Sequence, residues 1–271
     1  MTYSNGIPVR GRTVPRPAAG GDDLTVGLVL QGSLLVALAV GVGLGSAAWT
    51  AGVVFALATR ALLTAGLHRC GRPALGPADR VTLARTVLVG GVTALAVESL
   101  GRAVPAALVV GLTAAALLLD GVDGQVARRT GTASGFGARF DMEVDAFLIL
   151  VLAVLLVRPL GAWVLAIGGM RYAFVVAGWW QPWLTVALPP RFSRKVVAAV
   201  QGVVLVMAVA GVLPWLPVRL AVLAALGSLC WSFGRDVRWL ARHRHPAPAP
   251  VSAPRGEQAE SPRALALTLP E

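Results

Sequence analysis

Residues 104–157 read VPAALVVGLTAAALLLDGVDGQVARRTGTASGFGARFDMEVDAFLILVLAVLLV. Two apolar runs flank a polar centre. That centre holds Asp120, Asp123, Asp141, Glu143 and Asp145, five of the thirteen acidic residues in the chain. A helix that spans a bilayer needs about 20 mostly apolar residues, and carboxylates at membrane depth are costly enough to mark function. This stretch therefore points to an all-α, polytopic membrane bundle and to the place where its chemistry lies.

The rest of the chain agrees with that reading. Of 271 residues, 56% are hydrophobic and 14% charged, with a mean hydropathy of +0.72. Soluble domains are about 45–50% apolar and about 25% charged, so an ordinary soluble protein is excluded, as is disorder over most of the length. Working outward from the acidic stretch, apolar segments recur at 24–42, 46–66, 81–100, 104–119, 146–157, 162–178, 196–212 and 216–233. This predicts about eight transmembrane helices. The fifth is expected to begin earlier, because residues 137–145 can continue the same helix.

Lys+Arg 24 against Asp+Glu 13 gives a net charge of +11. A basic excess can signal nucleic acid, but here its placement follows the topology rule for cytoplasmic loops, so no nucleic-acid partner is expected. Arg10, Arg12, Arg16, Arg69, Arg72, Arg80, Arg128, Arg129, Arg139, Arg191, Arg194, Lys195, Arg235, Arg238, Arg242 and Arg244 fall on one side, and only Arg102, Arg158 and Arg219 on the other. Both termini are thus expected in the cytoplasm. Met1 to Asp23 has no signal-peptide layout. Residues 1–23 and 246–271 read as disordered tails, rich in Pro, Ala and polar residues. Trp163, Trp179, Trp180, Trp183 and Trp215 lie near segment ends, as an interfacial aromatic belt would. Cys70 and Cys230 form no metal pattern and no disulfide framework.

On helices, Asp120, Asp123 and Ala127 (i, i+3, i+7) share one face, and so do Gly137, Asp141 and Asp145 (i, i+4, i+8). Glu143 points off that face. Two helices presenting carboxylates toward each other can surround a divalent cation, and oxygen-only ligands favour Mg²⁺, Mn²⁺ or Ca²⁺ over zinc. Gly124, Ala127 and Gly137 would leave a slot beside it, with the planar fork of Arg128 at its edge suited to phosphate. Carboxylates alone would equally suit a solvated loop or the cation site of a transporter.

The full pattern, Asp-x₂-Asp-Gly-x₂-Ala-Arg-x₈-Gly-x₃-Asp-x₃-Asp, resembles the signature of the CDP-alcohol phosphatidyltransferase family. Each fixed position is present: Asp120, Asp123, Gly124, Ala127, Arg128, Gly137, Asp141 and Asp145. Upstream, Thr82-Leu-Ala-Arg85 resembles the Thr-Leu-x-Arg that opens the first core helix in many members. Where many members have Asn, this chain has Asp79, to which no role is assigned.

The resemblance implies a six-helix core mapping onto 81–233, preceded by two additional helices. The domain division it suggests is a cytoplasmic tail at 1–23, two added helices at 24–66, the phosphotransferase core at 67–245, and a second tail at 246–271. It implies an enzyme of the cell membrane that moves a phosphatidyl group from a CDP-linked donor such as CDP-diacylglycerol to an acceptor hydroxyl. CMP leaves, and the reaction depends on Mg²⁺ or Mn²⁺. Asp120, Asp123, Asp141 and Asp145 would hold the metal, with Asp145 also the general base. Gly124, Ala127, Arg128 and Gly137 would receive the CDP moiety. A homodimer and a cytoplasmic active site follow by analogy. The rival reading is a cation-binding transporter or an inactive scaffold that keeps the motif.

For the acceptor, Arg171 lies inside an apolar segment with no acidic neighbour nearby in sequence. A buried, unpaired arginine is costly, so Arg171 is expected to face a cavity and, with Arg191 and Arg194, to bind an anionic acceptor such as an inositol phosphate or a glycerol phosphate. The competing reading for Arg191, Arg194 and Lys195 is topology charge and lipid headgroup contact. Asp141-Met lacks the Asp-Pro common in glycerophosphate-using members, which weakens a phosphatidylglycerophosphate product.

Overall fold

A computed structural model of the chain describes residues 20–72, 74–130, 135–186, 188 and 191–243, without the side chains of 20, 21 and 123–130. All long elements among these residues are helices and none is a strand. They are α1 (Gly20–Val42), α2 (Ser46–Arg69), α3 (Pro77–Gly101), α4 (Ala106–Thr130), α5 (Gly135–Leu155), the single turn α6 (Val157–Leu160), α7 (Leu165–Trp180), α8 (Phe192–Ala210) and α9 (Trp215–Arg242). The eight long helices correspond one to one with the eight apolar segments. Gly43 (φ +74°) ends α1 and Gly211 (φ +65°) ends α8. Both adopt the left-handed conformation that a side chain disfavours.

The helices outrun the apolar segments that predict them. α3 starts at Pro77 rather than 81, α4 continues to Thr130 rather than 119, and α9 to Arg242 rather than 233. The apolar run stops at the first charge, but the backbone hydrogen bonds do not. At the start of the described chain, Gly20 to Asp23 already belong to α1, so the tail expected to reach residue 23 gives way to helix sooner. Asp22 and Asp23 occupy that first turn, where carboxylates favour the positive end of the helix dipole.

Among the described residues, six helices are long and apolar enough to cross a membrane: α1, α2, α3, α7 together with the turn before it (Ala162–Trp180), α8 and α9. Ala106–Val122, the part of α4 whose side chains are described, is a further apolar run, and α5 carries Arg139, Asp141, Glu143 and Asp145 in its first half. These acidic helices stand beside α3, the most enclosed of the six spans. The apolar window of α3 is 61% buried, against 17–22% for the other five spans. α3 packs on α1, α2, α4 and α5. Its Val89, Val92 and Leu95 meet Val109 and Ala116 of α4 and Leu148 and Leu152 of α5 in the main core.

Because lipid is as apolar as leucine, close packing rather than water exclusion holds such helices together, and small residues permit it. On α3, Gly90 lies against the Gln31 amide of α1, where a Cβ would overlap it. A Cβ on Gly91 would stand 2.7 Å from Leu34 Cδ2. Between α5 and α7, Gly168 sits on the backbone of Leu150. Side chains such as Val29, Leu62, Leu118, Trp179, Trp180 and Trp215 are exposed, as groups facing lipid would be.

The end of α3 far from the acidic stretch is tied to a turn. Glu98 accepts a hydrogen bond from the Gly45 N–H (2.6 Å) and pairs with Arg102, which also donates to the Val42 carbonyl (2.7 Å). The α1–α2 connection is thereby fastened to the core.

Candidate metal and substrate site

Three helices bring the site together. Asp120 comes from α4, Asp141 and Asp145 from α5, and Arg85 from α3. Counted at 1.5 Å per residue, they sit about 9–15 Å along their helices from a common end of the bundle. Two of these helices, α3 and α5, are fixed at that end by their own local chemistry. At the start of α3, Asp79 is only 3% exposed. Its Oδ2 accepts from the Gly76 N–H (2.9 Å) and from Arg72 Nη1 (2.8 Å). The residue with no assigned role thus caps the helix that delivers Arg85 two turns later.

The start of α5 is fixed by aromatics. Phe136 and Phe140 stack 6.5 Å apart and pack against Leu24, Leu63, Leu67 and Leu75. The Phe136 ring occupies the place a side chain at Gly66 of α2 would take. Gly137, one turn before Asp141, lies on this anchored segment. None of this anchoring was legible from the motif, because α1 and α2 precede it by more than fifty residues.

Arg85 is 1% exposed and is the largest fully buried side chain described. Its Nη1 pairs with Asp120 Oδ1. Its Nη2 lies 2.6 Å from Asp141 Oδ1, 3.3 Å from Asp145 Oδ1 and 3.1 Å from the Asp141 carbonyl oxygen. The three carboxylates are 31–43% exposed, with an oxygen of each within 4.8 Å of the others. Oxygens on one Mg²⁺ or Ca²⁺, about 2.0–2.6 Å from the ion, stand at most about 4–5 Å apart. The spacing and the all-oxygen donor set therefore fit a hard divalent cation. Partial exposure leaves room for water and substrate to complete its coordination.

The structure gathers Asp120, Asp141 and Asp145 as the sequence spacing requires. The other sequence-predicted positions of the motif, Asp123, Gly124, Ala127 and Arg128, lie on the helical backbone of α4, but their side chains are outside the described residues. Arg85 is the residue that motif reasoning left without a role. Its signal was available: an arginine eight residues into an apolar helix needs a countercharge, and the carboxylates of 120–145 were the natural supply.

Of the basic residues expected to bind the acceptor, Arg171 has a partner that the sequence reading did not give it. Arg171 of α7 is not unpaired. It pairs with Glu143 of α5, 28 residues away in sequence, and both side chains are partly exposed (35% and 53%). Sequence distance hid the partner, since α5 and α7 are packed antiparallel neighbours. Arg171 Nε has no hydrogen-bond partner among the described residues. Glu143 stays out of the carboxylate triad, as its helical position predicts.

Arg191 stands at the extended residue before α8. Arg194 Nε lies 3.3 Å from Asp236 Oδ2 of α9. Next to it, Arg235 donates to Ser193 Oγ (2.9 Å) and lies over the Trp231 ring, 4.6 Å from its centroid. Cys70 and Cys230 are free and exposed.

Residues 75–231 match the model of a family described as CDP-alcohol phosphatidyltransferase. No curated protein and no solved structure matches the chain.

Proposed function

The chain belongs to the CDP-alcohol phosphatidyltransferase family, a family of membrane phosphotransferases. From that premise we propose that it transfers the phosphatidyl group of CDP-diacylglycerol to the hydroxyl of a polar, phosphorylated acceptor in phospholipid synthesis. The observation that carries this reading is the triad of carboxylates on α4 and α5, gathered around Arg85 at one end of a membrane bundle. The triad offers three oxygens at metal-ligand spacing.

In this reading Asp120, Asp123, Asp141 and Asp145 hold Mg²⁺ or Mn²⁺. When bound, such an ion neutralises charge on the diphosphate oxygens and on the departing CMP. Gly124, Ala127 and Gly137 accept the cytidine end, and Arg128 binds a phosphate oxygen. Asp145 takes the proton of the acceptor hydroxyl. The hydroxyl oxygen bonds to the phosphorus that carries diacylglycerol. The bond from that phosphorus to the bridging oxygen breaks, and its electron pair leaves with CMP.

Arg171, with Arg191 and Arg194, binds the anionic group of the acceptor. Arg171 is held by Glu143 until that anion replaces the carboxylate. Residues 67–245 form the working core, residues 24–66 add two helices, and the protein acts as a homodimer in the cell membrane. Its termini and active site face the cytoplasm, where a water-soluble acceptor reaches the site while the lipid donor arrives from the bilayer.

The test is CMP release from labelled CDP-diacylglycerol by the purified protein with Mn²⁺, screened over phosphorylated polyols, with the product identified by mass spectrometry. Acceptor-dependent CMP release is expected, with a lipid product that carries the acceptor. Absence of release with every acceptor, or cation flux in protein-loaded liposomes, would overturn the reading.

A further inference from the structure

A guanidinium does not lose its proton in a protein, so Arg85 is a permanent cation. It is rooted in α3, the most enclosed of the six spans, and reaches three carboxylates on two other helices. Nη1 serves α4 and Nη2 serves α5, so the planar fork spans the gap between the acidic helices in a way a single ammonium cannot. Three carboxylates packed this closely repel one another. Among the described side chains one guanidinium faces three carboxylates, so it offsets only part of their negative charge and leaves the pocket attractive to a divalent ion.

We propose that Arg85 is the resident counter-cation of this pocket. Before metal arrives, it keeps Asp120, Asp141 and Asp145 gathered, with one side of the cluster covered. When a divalent ion enters from their exposed side, Arg85 competes with it for the same carboxylates. Arg85 thus sets the metal affinity from behind the site, as a positioning residue that touches neither substrate nor the transferring phosphorus. This rests on the reading of the three aspartates as metal ligands.

The competition makes a prediction that a purely structural role does not. Removing the arginine destabilises the metal-free protein and also tightens metal binding, because the carboxylates lose their internal partner. Mn²⁺ binding by the full chain in nanodiscs, without substrate, is followed by calorimetry and by electron paramagnetic resonance. R85Q is expected to bind Mn²⁺ about tenfold more tightly than the parent. Its metal-free melting temperature should be lower and its stabilisation by Mn²⁺ larger. R85K keeps the charge but not the fork. It should melt lower while its Mn²⁺ affinity stays within a few-fold of the parent. Unchanged or weaker Mn²⁺ binding by R85Q would overturn the proposal.

If R85Q does not fold, hydrogen exchange on the parent decides. Protection of α4 around Asp120 and of α5 around Asp141 is expected to persist in EDTA. Its collapse to loop-like exchange would overturn the role. D141N separates this proposal from the reading beneath it. If the parent binds Mn²⁺ and D141N does not, yet R85Q binds no tighter, only the role of Arg85 falls. If the parent itself binds no Mn²⁺, the metal centre falls and the role of Arg85 falls with it.

Discussion

The two ends of α3 use the same chemistry for different purposes. About 25 Å apart along one helix, Arg85 and Arg102 each pair with carboxylates. Arg102, the extended residue just after α3, is 46% exposed and bonds Glu98 of that helix and the backbone of the α1–α2 turn. Arg85 is 1% exposed and bonds side chains from two other helices. At the open end, water or headgroups can take over for a lost partner, and an exposed ion pair contributes little. At the closed end the guanidinium itself is shut off from water, so losing its carboxylates would strand a buried charge. An arginine–carboxylate contact is therefore a strap where the guanidinium lies open to solvent, and an organising centre where the guanidinium is buried.

The largest effect that would test this contrast is at the centre itself. Asp145→Asn keeps the shape but removes the proton acceptor. It should lower CMP release by about 10³-fold, while Glu98→Gln at the strap leaves turnover within twofold. Equal losses from both would erase the distinction. Chelation with EDTA should likewise abolish release, and Mn²⁺ should restore it.

The Arg171–Glu143 pair is intermediate, partly exposed but spanning α5 and α7. Arg171→Ala should raise the acceptor KM about tenfold with the donor KM unchanged, since a charged hydrogen bond to an anion contributes about 1.5–3 kcal/mol. Glu143→Gln should lower the acceptor KM a few-fold by freeing the guanidinium. An unchanged acceptor KM in both variants would remove the pair from the acceptor site. The smallest effect belongs to the strap. Glu98→Gln should lower the melting temperature by a few degrees, most visibly at low salt.

Much of this was legible in the sequence because membrane helices announce themselves one at a time. Length and apolarity predict each helix without knowledge of its neighbours, and the i, i+4 spacing of Asp141 and Asp145 fixes a shared face before any partner is known. What was not legible depends on which helices touch. Arg171 looked unpaired because Glu143 lies on a different helix. Asp79 looked idle because its partners, Arg72 and the Gly76 N–H, matter only once the chain turns into α3. Phe136 looked like another apolar residue until α2 came to rest on it.

Gly90 and Gly91 carry a consequence for modularity. They lie within the region shared with the family, yet their bare backbone is shaped to receive Gln31 and Leu34 from a helix outside it. The leading hairpin is thus inlaid in the enzyme rather than appended to it. Trimming it away would open a furrow of naked peptide to the lipid. Grafting it onto a relative with larger residues at those two positions would leave it nowhere to dock.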